Sequence, residues 1–224
     1  MSAATTRPDL DMLRSRFLEA QLGGDRRAAL SVVIDQGLGA GATIGELHEH
    51  VISAAQREIG ALWQMNTISI AQEHLATGIA NLVLTQLFAY AEPAPRNGKS
   101  VIVACVEGEQ HEFPARLVSD ALDLAGFDVR HLGANVPTDS LMTMLDSHRP
   151  DLVVLSATMS FHATALREAT SRIRERHGST MPIAVGGRAV DWSGQGISRI
   201  DADLTGSDAA DLVTRAKVLL GVPR

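Results

Sequence analysis

The stretch KSVIVACVEGEQHEFP, residues 99–114, decides the fold. Its first half is a continuous apolar run rich in valine and isoleucine. Its second half breaks into glycine, charge and histidine and ends on a proline that can open a helix. Apolar residues at every position mark a strand covered on both faces, as in a parallel sheet between helices. The pattern recurs in FDVRHLG (127–133), DLVVLSA (151–157), MPIAVGG (181–187) and DADLTG (201–206). Helical stretches follow from about Pro114, from about Thr138, through Ile173, after Gly187 and through Leu220. Five βα units predict a flavodoxin-like (Rossmann-like) sheet of five parallel strands. Such sheets bind ligands outside the carboxyl ends of their strands.

Upstream, from residue 8 to 91, apolar residues recur at three and four: Leu10, Leu13, Phe17, then Leu30, Val33, Ile34, then Leu47, Val51, Ile52, Ala55, Ile59, Leu62. That is helical spacing. Breaks fall at Gly23-Gly24 and from Gly37 to Gly41, and Thr43 with Glu46 forms a capping-box start. A further helix is expected from about Ser69 to Tyr90. The fold class is therefore α + α/β, a four-helix bundle over 8–91 followed by the sheet domain over 100–224. Between them EPAPRNGK, 92–99, reads as a linker with little to bury.

The chain has 224 residues, 45% hydrophobic, with a net charge of −6. Its arginines are scattered, so direct nucleic-acid binding is not expected. Cys105 is the single cysteine and lies in the first strand, which fits a buried thiol in a reducing compartment. No run approaches the ~18 apolar residues of a membrane span, and the first residues carry no apolar signal core. A cytoplasmic location without membrane contact is the expectation.

Three pieces of sequence sit just past strand ends: Glu109-Gln110-His111 with Pro114, Ser156-Ala157-Thr158, and Gly186-Gly187. His111 can offer an imidazole to a metal, and Glu109, two residues earlier, can orient the ring and raise its basicity. Small residues at two further strand ends leave a slot for a tail-like ligand group. Trp192 is expected near that slot or at a subunit contact. His131, His148, His162 and His177 read as surface or loop residues.

This arrangement resembles the cobalamin-binding domain of methionine synthase, methylmalonyl-CoA mutase and their relatives. The family motif is Asp-x-His-x-x-Gly, then Ser-x-Leu, then Gly-Gly. Here residues 115–155 and 159–185, 41 and 27 in number, separate the three pieces at the family's spacing. The resemblance implies that His111 ligates cobalt from below in place of the cofactor's own dimethylbenzimidazole. It makes Glu109 the partner of His111, and it has Ser156, Thr158, Gly186 and Gly187 line the slot for the nucleotide tail. Glu109 stands where the motif has Asp, Thr158 where it has Leu, and Pro114 where it has Gly. The proline bears on how His111 is presented.

The helical half carries Trp63 and, after nine intervening residues, Glu73-His74. The turn between their helices would bring all three to one end of the bundle. With a cobalamin domain downstream, this pattern resembles the adenosylcobalamin photoreceptors of the CarH type. There a bundle caps the corrin, and the Trp, Glu and His meet the 5'-deoxyadenosyl group. The resemblance implies a signalling module rather than an enzyme, in which light breaks the cobalt–carbon bond. Output would pass through self-association or a protein partner, because the sequence shows no DNA-binding domain before the bundle. Gln64 stands where some members have a His that ligates cobalt after light. His74, His48 or His50 could take that role, the last two being expected on an exposed helix face. Two alternatives stay open: a corrinoid carrier serving separate methyltransferases, and a bilin held non-covalently as second chromophore.

Overall fold

The computed structural model describes residues 7–192 and 200–223, apart from the side chains of Asp191 and Trp192. The expected place of Trp192 beside the slot thus lies outside the described side chains. The chain divides into two compact units, 1–92 and 93–224.

The first unit is helical. α1, Leu10–Leu22, starts where Asp9 accepts from the amides of Asp11 and Met12. α2, Arg26–Ser31, is capped the same way by Asp25 and runs on as a π-helical stretch, Val32–Gly37, and a 3₁₀ turn, Leu38–Ala40. α3, Ile44–Glu46, opens with the Thr43–Glu46 capping box. It continues through a second π-helical stretch, Leu47–Ser53, into α4, Ala54–Gln64. α5, Ile70–Phe88, has its own capping box from Ser69 and Gln72. Phe17, Leu47, Ile52, Ile59, Ile79, Leu84 and Leu87 fill the core. The expected exposure of His48 and His50 holds only for His50. His48, inside the second π-helical stretch, is buried, and burial pushes its imidazole down to about 4.

The second unit holds five parallel strands in the order β2-β1-β3-β4-β5. They are β1 Ser100–Cys105, β2 Asp128–His131, β3 Leu152–Ser156, β4 Ile183–Gly186 and β5 Leu204–Thr205. The helices are α6 Phe113–Leu124, α7 Thr138–His148, α8 Ala163–His177, α9 Arg188–Trp192 and α10 Ala209–Leu219. Strand residues alternate between two cores. Ile102, Ala104, Val153, Leu155, Ile183 and Val185 pack with α7 and α8. Val101, Val103, Cys105, Val154 and Ala184 pack with α6 and α10 on the other face. The chain leaves β1 for β2 on one side and reaches β3 on the other, so the sheet's order reverses at β1 and β3. A crevice opens at such a reversal, and the three sequence pieces sit there. Among the described residues no helix is long and apolar enough to cross a membrane.

The stretch read as a linker is not loose along its whole length. The amides of Ala94 and Asn97 donate to the carbonyls of Leu124 and Gly126 at 2.8 and 2.9 Å. Arg96 pairs with Asp123 at 2.7 Å. Gly126, at φ +92°, lets this strap lie flat, because a Cβ there would meet the Pro95 carbonyl oxygen at 2.4 Å.

Candidate functional site

Glu109 is the centre of the site. It is fully buried in the loop after β1, and its two oxygens take different jobs. Oε1 accepts the His111 amide at 2.8 Å and contacts His111 Nδ1 at 2.5 Å. Oε2 accepts the amides of Thr158 and Met159 at 2.6 and 3.1 Å and contacts His162 Nδ1 at 2.8 Å. Burial alone would raise this carboxyl. The hydrogen bonds from the His111 ring and amide, the His162 ring and the Thr158 amide outweigh it and hold Glu109 well below the usual carboxylate range. An ionised carboxylate can only accept, so both rings carry their hydrogen on Nδ1. A neutral His111 therefore has its basic lone pair on Nε2, the nitrogen suited to a metal.

Backbone geometry brings the remaining pieces together. Ser156, the last residue of β3, pairs with both Cys105 and Gly186 across the sheet. The Ala157 amide donates to the Gly186 carbonyl at 3.0 Å. Gly187 has φ +94° and lies so near Ala157 that a Cβ would fall 2.3 Å from its carbonyl oxygen, so only glycine fits. A Cβ on Gly186, by contrast, would meet nothing within 4 Å among the described residues. In the loop after β3, Thr158 Oγ1 is buried without a hydrogen-bond partner among the described residues. Room at the end of β4 and an unsatisfied hydroxyl past the end of β3 suit a ligand with polar groups. Together with one half-exposed imidazole, these features fit a cobalamin bound through His111 with its tail in the slot. Pro114 lies in the first turn of α6, where its missing amide leaves no hydrogen bond unmade.

Three contributors escaped the sequence. His162, read as surface or loop, is mostly enclosed, its side chain 13% exposed. Its ring meets Phe161 edge-on, with centroids 4.3 Å apart. Asn135, at φ +49°, accepts the Gly108 amide through Oδ1 and donates its own amide to the Glu109 carbonyl, both at 2.8 Å. Glu107 accepts from the Thr138 amide and hydroxyl at the start of α7. Loops after β2 and β3 thus grip the His111 loop from both sides. His131 and His177 are also partly buried, and His131 Nδ1 lies 3.1 Å from Ser119 Oγ; His148 is exposed as expected.

In the helical unit Trp63 is the second-last residue of α4, and Glu73 and His74 lie in the opening turns of α5. The short turn between these helices sets all three at one end of that unit. Glu73 is largely enclosed; its Oε2 lies 2.6 Å from His74 Nδ1 and its Oε1 accepts from Thr77 Oγ1 at 2.8 Å. Met65, Ile70 and Leu75 stand exposed around them.

The model for the B12 binding domain matches residues 99–213, just over half of the chain, and a second model of that description matches residues 13–87. The chain is 30% identical over 183 residues to the HTH-type transcriptional repressor CarH of Myxococcus xanthus, covering 82% of this chain and 60% of that protein. It is 25% identical over 194 residues to trimethylamine corrinoid protein 1 of Methanosarcina acetivorans, covering 84% and 88%. The fold follows the monomethylamine corrinoid protein of Methanosarcina barkeri with a TM-score of 0.78 at 22% identity, over 96% of this chain and 100% of that one. The chain belongs to the family of cobalamin-binding (B12-binding) domain proteins.

Proposed function

We propose that this cobalamin-binding protein is a corrinoid carrier, not itself an enzyme, that presents its cofactor to a separate methyltransferase. The observation that carries this reading is the extent of the similarity, with a fold that follows the monomethylamine corrinoid protein over 100% of that chain. The similarity takes in 88% of the trimethylamine corrinoid protein but 60% of the CarH repressor. Light sensing, the first expectation from sequence, accordingly takes second place.

Bound cobalamin would supply a reactive cobalt–carbon bond. The chain's own residues supply the rest. His111 would hold the cobalt through Nε2, Glu109 fixes the ring, and Ser156, Thr158, Gly186 and Gly187 would receive the tail. The buried carboxylate keeps His111 in one tautomer, with Nε2 as the basic nitrogen.

A second reading, an adenosylcobalamin light sensor, is favoured by one observation. Trp63, Glu73 and His74 share an end of the helical unit, with Glu73 fixed by Thr77. A bilin in such a protein would be held without a thioether bond, because burial, with the charges of Glu109 and Glu112, pushes the Cys105 thiol up to about 12.

One experiment separates the readings. The protein is loaded in the dark with methylcobalamin or with adenosylcobalamin, and absorption and size are recorded before and after green light. Methyl transfer to a thiol acceptor with an added methyltransferase, with no light-driven change in size, supports the carrier. A change in assembly when the adenosyl spectrum is lost, without methyl turnover, overturns it for the sensor.

A further inference from the structure

The chain past β2 is stitched to the start of the loop that carries His111. Beyond the paired strand residues the β1–β2 ladder runs on. The Leu132 amide donates to the Val103 carbonyl at 2.8 Å, the Cys105 amide to Gly133 at 3.0 Å and the Val136 amide to Cys105 at 3.2 Å. Asn135 then carries the stitching further with its side chain, 27 residues after Gly108 and outside every piece of the motif. Its Oδ1 accepts the Gly108 amide at 2.8 Å, as a strand carbonyl would, and its own amide donates to the Glu109 carbonyl at 2.8 Å. The backbone of Asn135 is left-handed, at φ +49°, a conformation asparagine tolerates better than most residues. One residue earlier Glu107 accepts the amide and hydroxyl of Thr138 at 3.2 and 3.3 Å. Helix α7 has no side-chain cap at Pro137, so Glu107 serves its first turn from the neighbouring loop.

We propose that Asn135 is a positioning residue for His111: it latches the Gly108 amide and the Glu109 carbonyl, and so sets where the backbone of Glu109 stands. The donors on the Glu109 carboxylate hold the far end of that side chain, and Asn135 holds the near end. Gly108, at φ +87°, is the flexible point just ahead of Glu109. Without the latch it would let the loop sample other shapes. Binding would then have to restore the loop's order, which weakens affinity. This inference rests on the reading of His111 as the lower ligand.

The test uses the full chain and two variants that both accept a left-handed backbone. Asn135→Asp keeps an oxygen at Oδ1, and Asn135→Gly removes it. Without cofactor, hydrogen exchange at the Gly108 amide reports the latch, with the Leu155 amide in β3 as internal reference for the fold. With cob(II)alamin, electron paramagnetic resonance on ¹⁵N-histidine protein reports how much cobalt is bound by imidazole. We expect Asn135→Gly to speed exchange at Gly108 and leave Leu155 protected, to lower the imidazole-bound fraction and to weaken cobalamin binding about tenfold. Asn135→Asp should restore all three. Wild-type exchange at Gly108 in the glycine variant overturns the proposal, and so does faster exchange with an unchanged imidazole-bound fraction. Equal losses in both variants also overturn it, because the aspartate retains the acceptor. His111→Ala serves as control. If its cobalt spectrum matches wild type, the lower-ligand reading fails, while exchange at Gly108 still decides whether Asn135 holds the loop.

Discussion

Glu109 Oε1 stands 2.5 Å from His111 Nδ1, inside a site where the carboxylate is fully buried and the imidazole is 38% exposed. The charge is hidden and the imidazole is presented. Glu109→Gln keeps the shape but loses the charge, and an amide nitrogen facing three donors leaves polar groups unpaired. Cobalamin affinity should fall about 10- to 100-fold, measured by absorption titration. Wild-type affinity would remove Glu109 from the account.

The two adjacent glycines should respond in opposite ways. Gly187→Ala forces a Cβ into the Ala157 peptide at positive φ, and should cost about 2 kcal/mol or more in chemical denaturation. At Gly186 an added Cβ meets nothing within 4 Å among the described residues, so Gly186→Val should keep stability near wild type while its methyl groups fill the slot. That variant should bind cobalamin weakly yet keep its affinity for cobinamide, which lacks the nucleotide tail. Equal affinity for both would mean that the tail does not lie at Gly186.

Thr158→Val tests the unsatisfied hydroxyl. Without ligand, Oγ1 has no partner, so its replacement by a methyl group should leave stability unchanged or raise it by about 1 kcal/mol. If that oxygen meets the ligand, cobalamin affinity should drop about tenfold. A stability loss with unchanged affinity would refute this assignment.

His48 makes the helical unit sensitive to acid. Its imidazole, ordinarily near 6.5, is pushed down to about 4 by burial. Between those values the unfolded chain takes up a proton that the folded chain refuses, so stability falls as pH drops through that window and levels off below it. The loss is about 3 kcal/mol at full extent. His48→Leu should flatten the dependence of urea midpoint on pH between 7 and 4. An unaltered slope would place the acid sensitivity elsewhere.

Trp63→Ala distinguishes the two functional readings. A tryptophan that covers an adenosyl group gives up roughly 1.4 kcal/mol of aromatic contact, about tenfold in affinity. Adenosylcobalamin should then bind about tenfold more weakly and methylcobalamin as before. Equal effects on both cofactors would count against an adenosyl-specific role.

The strand–helix alternation was legible because a continuous apolar run such as VIVACV has no other stable setting, and the spacing of Glu109, Ser156 and Gly186 follows from strand ends in one sheet. His162 was not legible. It meets Glu109 through a fold contact across 53 residues, and a histidine beside an exposed Phe161 looks like any loop residue. The π-helical stretches were hidden for a different reason: Leu47, Val51 and Ile52 keep ordinary helical spacing while the local hydrogen bonding changes. His48 shares a helix face with Ile52, Ala55 and Ile59, all buried, so its burial follows the helical spacing; only its polar side chain suggested the outside. The strap at Pro93–Asn97 depends on Gly126, more than 25 residues away, so composition alone made it a linker.

Cys105 lies beneath the His111 loop, its Sγ 3.7 Å from the His111 carbonyl. A thiol raised to about 12 exists as thiolate in only about one molecule in 10⁵ at neutral pH. Sulfur is a ready acceptor of alkyl groups and a ready ligand for cobalt, so an ionised Cys105 would be a rival inside the protein's own walls. Keeping it protonated silences that bystander nucleophile. On the carrier reading, a group held on cobalt is thereby saved for an outside acceptor instead of being lost to self-alkylation.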